Sequence, residues 1–131
     1  MKQLNIESSK TMNKLVGMVN DGYVKVDNTD GVFMSVSVEV IFEDSKFKII
    51  SLAHYFLQNG DLMADPEMCF LFSKTQGVYF PIYYKQDTMG VEEESVELED
   101  GEITRLNLAL QQEHTRFANM WLRNIKYQQS L

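Results

Sequence analysis

Phe33-Met34-Ser35-Val36-Ser37-Val38-Glu39-Val40-Ile41-Phe42, then Glu43-Asp44-Ser45-Lys46, then Phe47-Lys48-Ile49-Ile50-Ser51-Leu52-Ala53, is the stretch that decides the fold. Met34, Val36, Val38, Val40 and Phe42 fall at every second position, with Ser35, Ser37 and Glu39 between them. A period of two puts the apolar set on one face of a strand and the polar set on the other. The polar residues at 43–46 read as a tight reversal into a second β-rich run. Neighbouring runs joined so briefly pair antiparallel. This hairpin is expected at the centre of an antiparallel sheet.

Downstream, Met68 to Phe72 and Val78 to Tyr84 read as further strands around the turn Ser73-Lys74-Thr75-Gln76-Gly77. Pro81 has no N–H to donate, which places the second of them at a sheet edge or a bulge. Val91 to Leu98 alternates as well, and its glutamates suit an exposed edge that resists pairing with other molecules. Upstream, Tyr23 to Val26 is a short strand followed by the turn Asp27-Asn28-Thr29-Asp30-Gly31. Before it, Ser8 or Ser9 caps a helix whose Met12, Leu15, Val16 and Val19 share a face, and Asn20-Asp21-Gly22 ends that helix.

At the far end, Ile103, Leu106, Leu110, His114, Phe117, Trp121 and Ile125 recur at intervals of three or four. That spacing predicts an amphipathic helix lying across the sheet, anchored by Phe117 and Trp121, with Gln111, Arg116, Arg123 and Lys126 off the apolar stripe. The fold class is therefore α+β: an antiparallel sheet of about five or six strands, flanked by an N-terminal helix and a longer C-terminal one. Residues 1–131 are read as a single domain.

The chain is 44% hydrophobic and 24% charged, a composition able to bury a core. Apolar runs such as Phe47–Ala53 fall far short of the roughly 20 residues of a membrane span. Met1–Glu7 has no apolar core of signal-peptide length. Cys69 is the only cysteine, so no internal disulfide forms. A cytoplasmic protein with no membrane contact is the expectation. The net charge is −7, and Glu92, Glu93, Glu94, Glu97, Glu99, Asp100 and Glu102 follow one another with no basic residue among them. A field of that sign repels phosphate backbones, so direct nucleic-acid binding is not expected.

Two groups of residues carry candidate chemistry. The first is the polar segment from His54 to Glu67, in which His54, Asp61, Asp65 and Glu67, with Asp87 nearby in sequence, form a candidate ligand loop for a divalent cation or for acid–base work. Their spacing follows neither the EF-hand order nor the His-Glu-x-x-His order. The plainer account makes Asn59-Gly60 a turn, has Asp61 or Asp65 cap a short helical turn, and lets Pro66 open it. No metal site, cofactor or catalytic residue is assigned. Cys69 lies in an apolar run, His114 falls on the buried helix stripe, and neither a nucleophile elbow nor a phosphate-binding glycine loop occurs.

The second group is a candidate interaction surface: Tyr79 and Tyr83, together with Glu92, Glu93, Glu94 and Glu97. In an unbroken strand Phe80, Ile82 and Tyr84 share one face and the two tyrosines share the other. Displayed outward, they suit a protein contact; covered by the N-terminal helix, they are core. The acidic run is either a solvated edge or a surface for a basic partner, including one reached by imitating the charge of DNA.

The pattern His54-Tyr55-Phe56 through Gln58-Asn59-Gly60-Asp61-Leu62-Met63 to Asp65-Pro66-Glu67-Met68 resembles an uncharacterised bacterial domain-of-unknown-function family. So do Pro81 to Tyr84 with Gln86-Asp87, and Phe117-Ala118-Asn119-Met120-Trp121-Leu122-Arg123-Asn124-Ile125. The resemblance runs roughly from Val32 to Gln128. It implies a small cytosolic protein of plasmids, phages and integrative elements, and brings no activity with it. The leading expectation is a non-enzymatic interaction module. Its partner is an unidentified protein or a second copy of the chain; the alternative is a ligand-binding domain or enzyme built on residues 54–67.

Overall fold

In the computed structural model, which describes residues 1–131, the deciding hairpin joins Val36–Glu43 (β2) to Phe47–Gln58 (β3). Asp44 turns it: its Oδ1 accepts from the Lys46 and Phe47 amides at 2.8 and 2.7 Å. Tyr23–Val26 (β1) pairs with β2; Asp61–Ser73 (β4), Val78–Gln86 (β5) and Val91–Glu94 (β6) follow β3 in order. All five pairings are antiparallel, giving a six-strand meander in chain order with β1 and β6 as its edges. Val96–Glu99 (β7) and Glu102–Leu106 (β8) form a separate hairpin. The helices are Ile6–Gly17 (α1) and Leu108–Gln128 (α2). Neither is long and apolar enough to cross a membrane. The α+β class and the helix-flanked antiparallel sheet agree with the reading from sequence.

Both helices pack on one face of the sheet. Met12 and Leu15 of α1 and Ala118, Trp121, Leu122 and Ile125 of α2 meet Val36, Val38, Ile50, Leu52, Met68 and Phe70 in the main core. Trp121 reaches His54 on β3, with ring centroids 5.5 Å apart, while Phe117 reaches Tyr84 on β5 at 5.2 Å. α2 therefore crosses the sheet as its stripe predicts. Burying each of these large side chains contributes on the order of 1.5–3 kcal/mol.

Several sequence expectations give way to tertiary pairing. Asn5 rather than Ser8 or Ser9 caps α1, its side chain accepting from Ser8 N. The segment 54–67 is no loop: β3 runs on to Gln58, Asn59-Gly60 makes a two-residue turn with both φ positive, and β4 begins at Asp61. Pro66 lies in β4, at the register shift opposite His54, and opens no helical turn. Ile103 and Leu106 belong to β8, because Asp100-Gly101 turns the chain back on itself and Asn107 starts the helix only afterwards. Gln111 is fully buried, not off the stripe; its side chain holds both Lys2 N and Lys2 O at 2.8 Å. The run 91–98 breaks at Ser95, whose N–H donates to Ile82 O and whose C=O accepts from Asn107 N.

Bulges redirect side chains. The register passes from Val40↔Ile50 to Phe42↔Ile49, so Ile41 is an extra residue and Phe42 leaves the face it would share with Val40. On β5 the register passes from Tyr83 to Pro81, making Ile82 the extra residue. The β7–β8 hairpin folds over the helix-free face, where Val96 and Leu98 meet Leu71, Ile82, Ile49 and Phe80 in a second, smaller core.

Candidate interaction face

In an antiparallel sheet, residues directly opposite one another project to the same side. The pairings carry one row of side chains across all six strands: Tyr23, Glu39, Ser51, Cys69, Tyr83 and Glu94. The next row on the same side is Lys25, Ser37, Ala53, Glu67, Lys85 and Glu92. Both lie on the face turned away from the helices, because Val38, Leu52 and Met68 between them enter the main core. The middle strands contribute small residues: Ser51, Ala53 and Cys69 are buried under taller neighbours. The outer strands contribute tyrosine and glutamate, with Lys25 and Lys85 among them, so the face is a trough with a small-residue floor and walls that are phenolic and on balance anionic.

Glu67 is the hub of the trough. Its Oε2 accepts from Ser51 Oγ at 2.6 Å and from Tyr55 OH at 3.5 Å. Burial pushes the Tyr55 phenol up to about 12, with the Glu67 carboxylate adding to the shift. The Cys69 thiol is pushed up to about 12, first by burial and then by Glu67. Tyr83 is raised by burial and by the neighbouring Glu92 carboxylate. Beside Glu67 the trough deepens into a cleft of about 420 Å³ whose lining includes Ile41, Ile49, Glu67, Tyr83, Glu94 and Val96.

The candidate ligand loop does not assemble. His54 faces the helices, where its ring meets Trp121 edge-on and Nδ1–H donates to Ser35 O at 2.9 Å. Because a carbonyl only accepts, this bond fixes the tautomer. Glu67 projects from the opposite side of the sheet. Asp61 is exposed beside the Asn59-Gly60 turn. Asp65 accepts from Gln86 Nε2, and Asp87 accepts from Ala64 N at 2.7 Å, so both fasten the corner between β4 and β5. No three His, Cys, Asp or Glu side chains gather as a metal would need. Of this group only Glu67 joins the candidate face.

The proposed interaction surface is divided in the same way. Tyr83, Glu92 and Glu94 line the trough. Tyr79 is buried on the helix side, where its OH donates to Asn13 Oδ1 of α1 at 2.7 Å and its ring lies 4.6 Å from that of Phe72. The Ile82 bulge explains the separation: one extra residue between 79 and 83 reverses their relation. Glu93 also faces the helices, accepting from His114 Nε2–H at 3.2 Å. Glu97 pairs with Arg105 across the β7–β8 hairpin at 3.7 Å.

Ser95, His114 and Glu93 stand in the order of a hydrolase triad, with Ser95 Oγ 3.0 Å from His114 Nδ1. Ser95 is 1% exposed, and no substrate carbonyl can reach its hydroxyl. With Glu93 accepting from Nε2–H, Nδ1 is left facing the serine hydroxyl. The trio ties the β6–β7 break to α2. Sequence reasoning missed Ser51 and Tyr55 of the trough, although it did put Glu39 on the face opposite the apolar set. It also missed the two buried glutamines, Gln111 and Gln129, that fasten the ends of α2 to the chain's first residues and to Asn28 and Met34.

Fold and face together define an α+β domain: a six-strand antiparallel meander with helices on one side and an acidic, tyrosine-bearing trough on the other. Residues 7–131 match the model of a domain of unknown function, DUF6908, and the chain belongs to that family. No curated protein and no solved structure matches it.

Proposed function

We propose that this protein is a non-enzymatic interaction module whose helix-free face receives a basic segment of a protein partner. The observation that carries the reading is the pair of side-chain rows crossing all six strands, in which Glu39, Glu67, Glu92 and Glu94 outnumber Lys25 and Lys85, and Glu67, Tyr83 and Glu94 line a cleft. Carboxylates select cationic side chains and steer their approach. Tyrosines offer apolar area with a polar tip at low entropic cost, and the cleft accepts an aliphatic stem. The single, buried Cys69 is consistent with a reducing cytoplasm. Panning a basic-peptide library against the wild type and E92K/E94K tests the proposal. Wild-type binders should lose affinity by at least about tenfold in the variant, since charge-assisted contacts are worth roughly 1.5–3 kcal/mol. Unchanged binding by a variant with native circular dichroism refutes it.

One observation favours a second copy as the partner. Residues 1–20 and 107–131, which include both helices, hold Lys2, Lys10, Lys14, Arg116, Arg123 and Lys126 against only Glu7 and Glu113. The intervening strands hold the other six basic residues and seventeen acids. Sedimentation at low and high salt separates this arrangement from a foreign partner: head-to-tail association weakens as salt rises, and a chain that stays monomeric at low salt excludes it.

A further inference from the structure

On the helical side, a cleft of about 320 Å³ opens between the first turn of α1 and the second half of α2. Its lining contains no hydrophobic residue; Asn5, Glu7, Ser8, Asn119, Arg123 and Lys126 contribute to it. Asn119, Arg123 and Lys126 are spaced four and three apart, which makes them one stripe along α2. The sequence placed the two cations on the polar side of this helix and assigned them nothing.

Three features point to a ligand of negative charge. First, α1 presents its N-terminus here, where the Ile6 and Glu7 N–H groups have no intrahelical acceptor and the helix dipole is positive. Second, Asn119 Oδ1 is occupied by Asn5 N at 3.1 Å, so the side of its amide left to the cleft is the donating one. Third, Ser8 is 3% exposed, yet its hydroxyl makes none of the hydrogen bonds that surround it: Asn5 Oδ1 takes Ser8 N, and Glu7 O takes Thr11 Oγ1. Ser8 lines the cleft, so this hydroxyl is free to donate to an acceptor that enters there. Glu7 is the one carboxylate in the lining; it is largely exposed and only 4.0 Å from Lys126.

We propose that this cleft binds a small phosphate-type oxyanion, held by Arg123, Lys126, the Ser8 hydroxyl and the Asn119 amide. Arg123 offers the forked donor geometry that tetrahedral oxyanions accept, and the N-terminus of α1 completes the cage. The wholly polar lining gives a nucleobase or an acyl chain nothing to pack against, so the ligand is a free phosphate or a small phosphomonoester. This site lies across the sheet from the acidic trough and does not depend on it.

An amide-correlation NMR titration with inorganic phosphate, run against sodium chloride at matched ionic strength, tests the assignment. Saturable shifts are expected at Glu7, Ser8, Asn119 and the Arg123 Nε–H, with little response in the trough. R123Q should weaken binding by about tenfold or more and S8A by several-fold, while E7Q should tighten it. Glycerol 3-phosphate binding more tightly than phosphate assigns a monoester; the reverse order assigns the free anion. Shifts reproduced by chloride, or an R123Q chain that is folded and titrates like the wild type, overturn the proposal.

Discussion

Cys69 sits in the trough between Ser51 and Tyr83, in a row that also holds Glu39 and Glu94. The sequence reads it as an inert thiol in an apolar run. It is inert for a fuller reason, since burial and the neighbouring Glu67 hold the thiol near pKa 12. An aromatic disulfide reagent at pH about 8 should therefore label native Cys69 only as fast as the fold opens, and should label it at once in denaturant. Rapid labelling of the native chain would show a trough that opens freely. The tyrosines supply a related measurement. Tyr55 and Tyr79 are each pushed up to about 12, chiefly by burial, and Tyr83 and Tyr84 are raised as well. A folded-state pKa above the unfolded value favours the protonated fold. This contribution is whole below pH about 10 and fades as pH climbs toward about 12. Tyrosinate absorbance from these four should appear together with loss of circular dichroism, and Y55F should move the midpoint upward. Full ionisation with the fold intact would contradict the burial assigned to them.

α2 shows how far an element can be read from its residues. His114, Trp121 and Ile125 do lie on its buried face, with Phe117 and Leu110 half-buried, because a 3.6-residue period survives whatever the helix packs against. Its beginning was misplaced, since Ile103 and Leu106 continue that period by coincidence while pairing in β8. The sheet behaves alike. The β2–β3 hairpin follows from local alternation and a short turn; the order of all six strands does not, because a hairpin fixes only its own neighbours. Nor do the faces of Phe42, Tyr79 and Tyr83, because each depends on a bulge fixed by the partner strand. The candidate site inherits that limit. Which glutamates share a surface is settled by register, and the trough is built from residues as far apart as Tyr23 and Glu94. The helix boundary is open to a test whose sign discriminates. As the N-cap, Asn107 accepts from Leu110 N at 3.1 Å, so N107A should cost about 1 kcal/mol in urea unfolding. In a helix already under way at Ile103 the same change would stabilise, because alanine is the better interior residue.

The whole molecule separates its charge. Its helical segments carry more bases than acids, while the chain between them holds seventeen acids against six bases. On the trough, Glu92 and Glu94 stand two apart on the edge strand, and Glu67 and Glu94 line the same cleft. Like charges held together oppose folding, and their cost shrinks as salt screens them. If these carboxylates serve the fold, removing them should lower stability, as happens when a hydrogen-bonded acid is lost. If they serve a partner, removing them should relieve repulsion. E92Q/E94Q keeps the side-chain size and discriminates the two. Relief of a few tenths of a kcal/mol per pair predicts a rise in Tm on the order of 1–3 °C at low ionic strength. In 1 M salt, where the screening length is about 3 Å, wild type and variant should melt together. A lower Tm in the variant at both salt concentrations would make the trough a structural device, and the case for a basic partner would lose its footing. A higher Tm that salt erases would mean that the fold tolerates a charge it does not need, on the face where two rows of side chains leave room for another molecule.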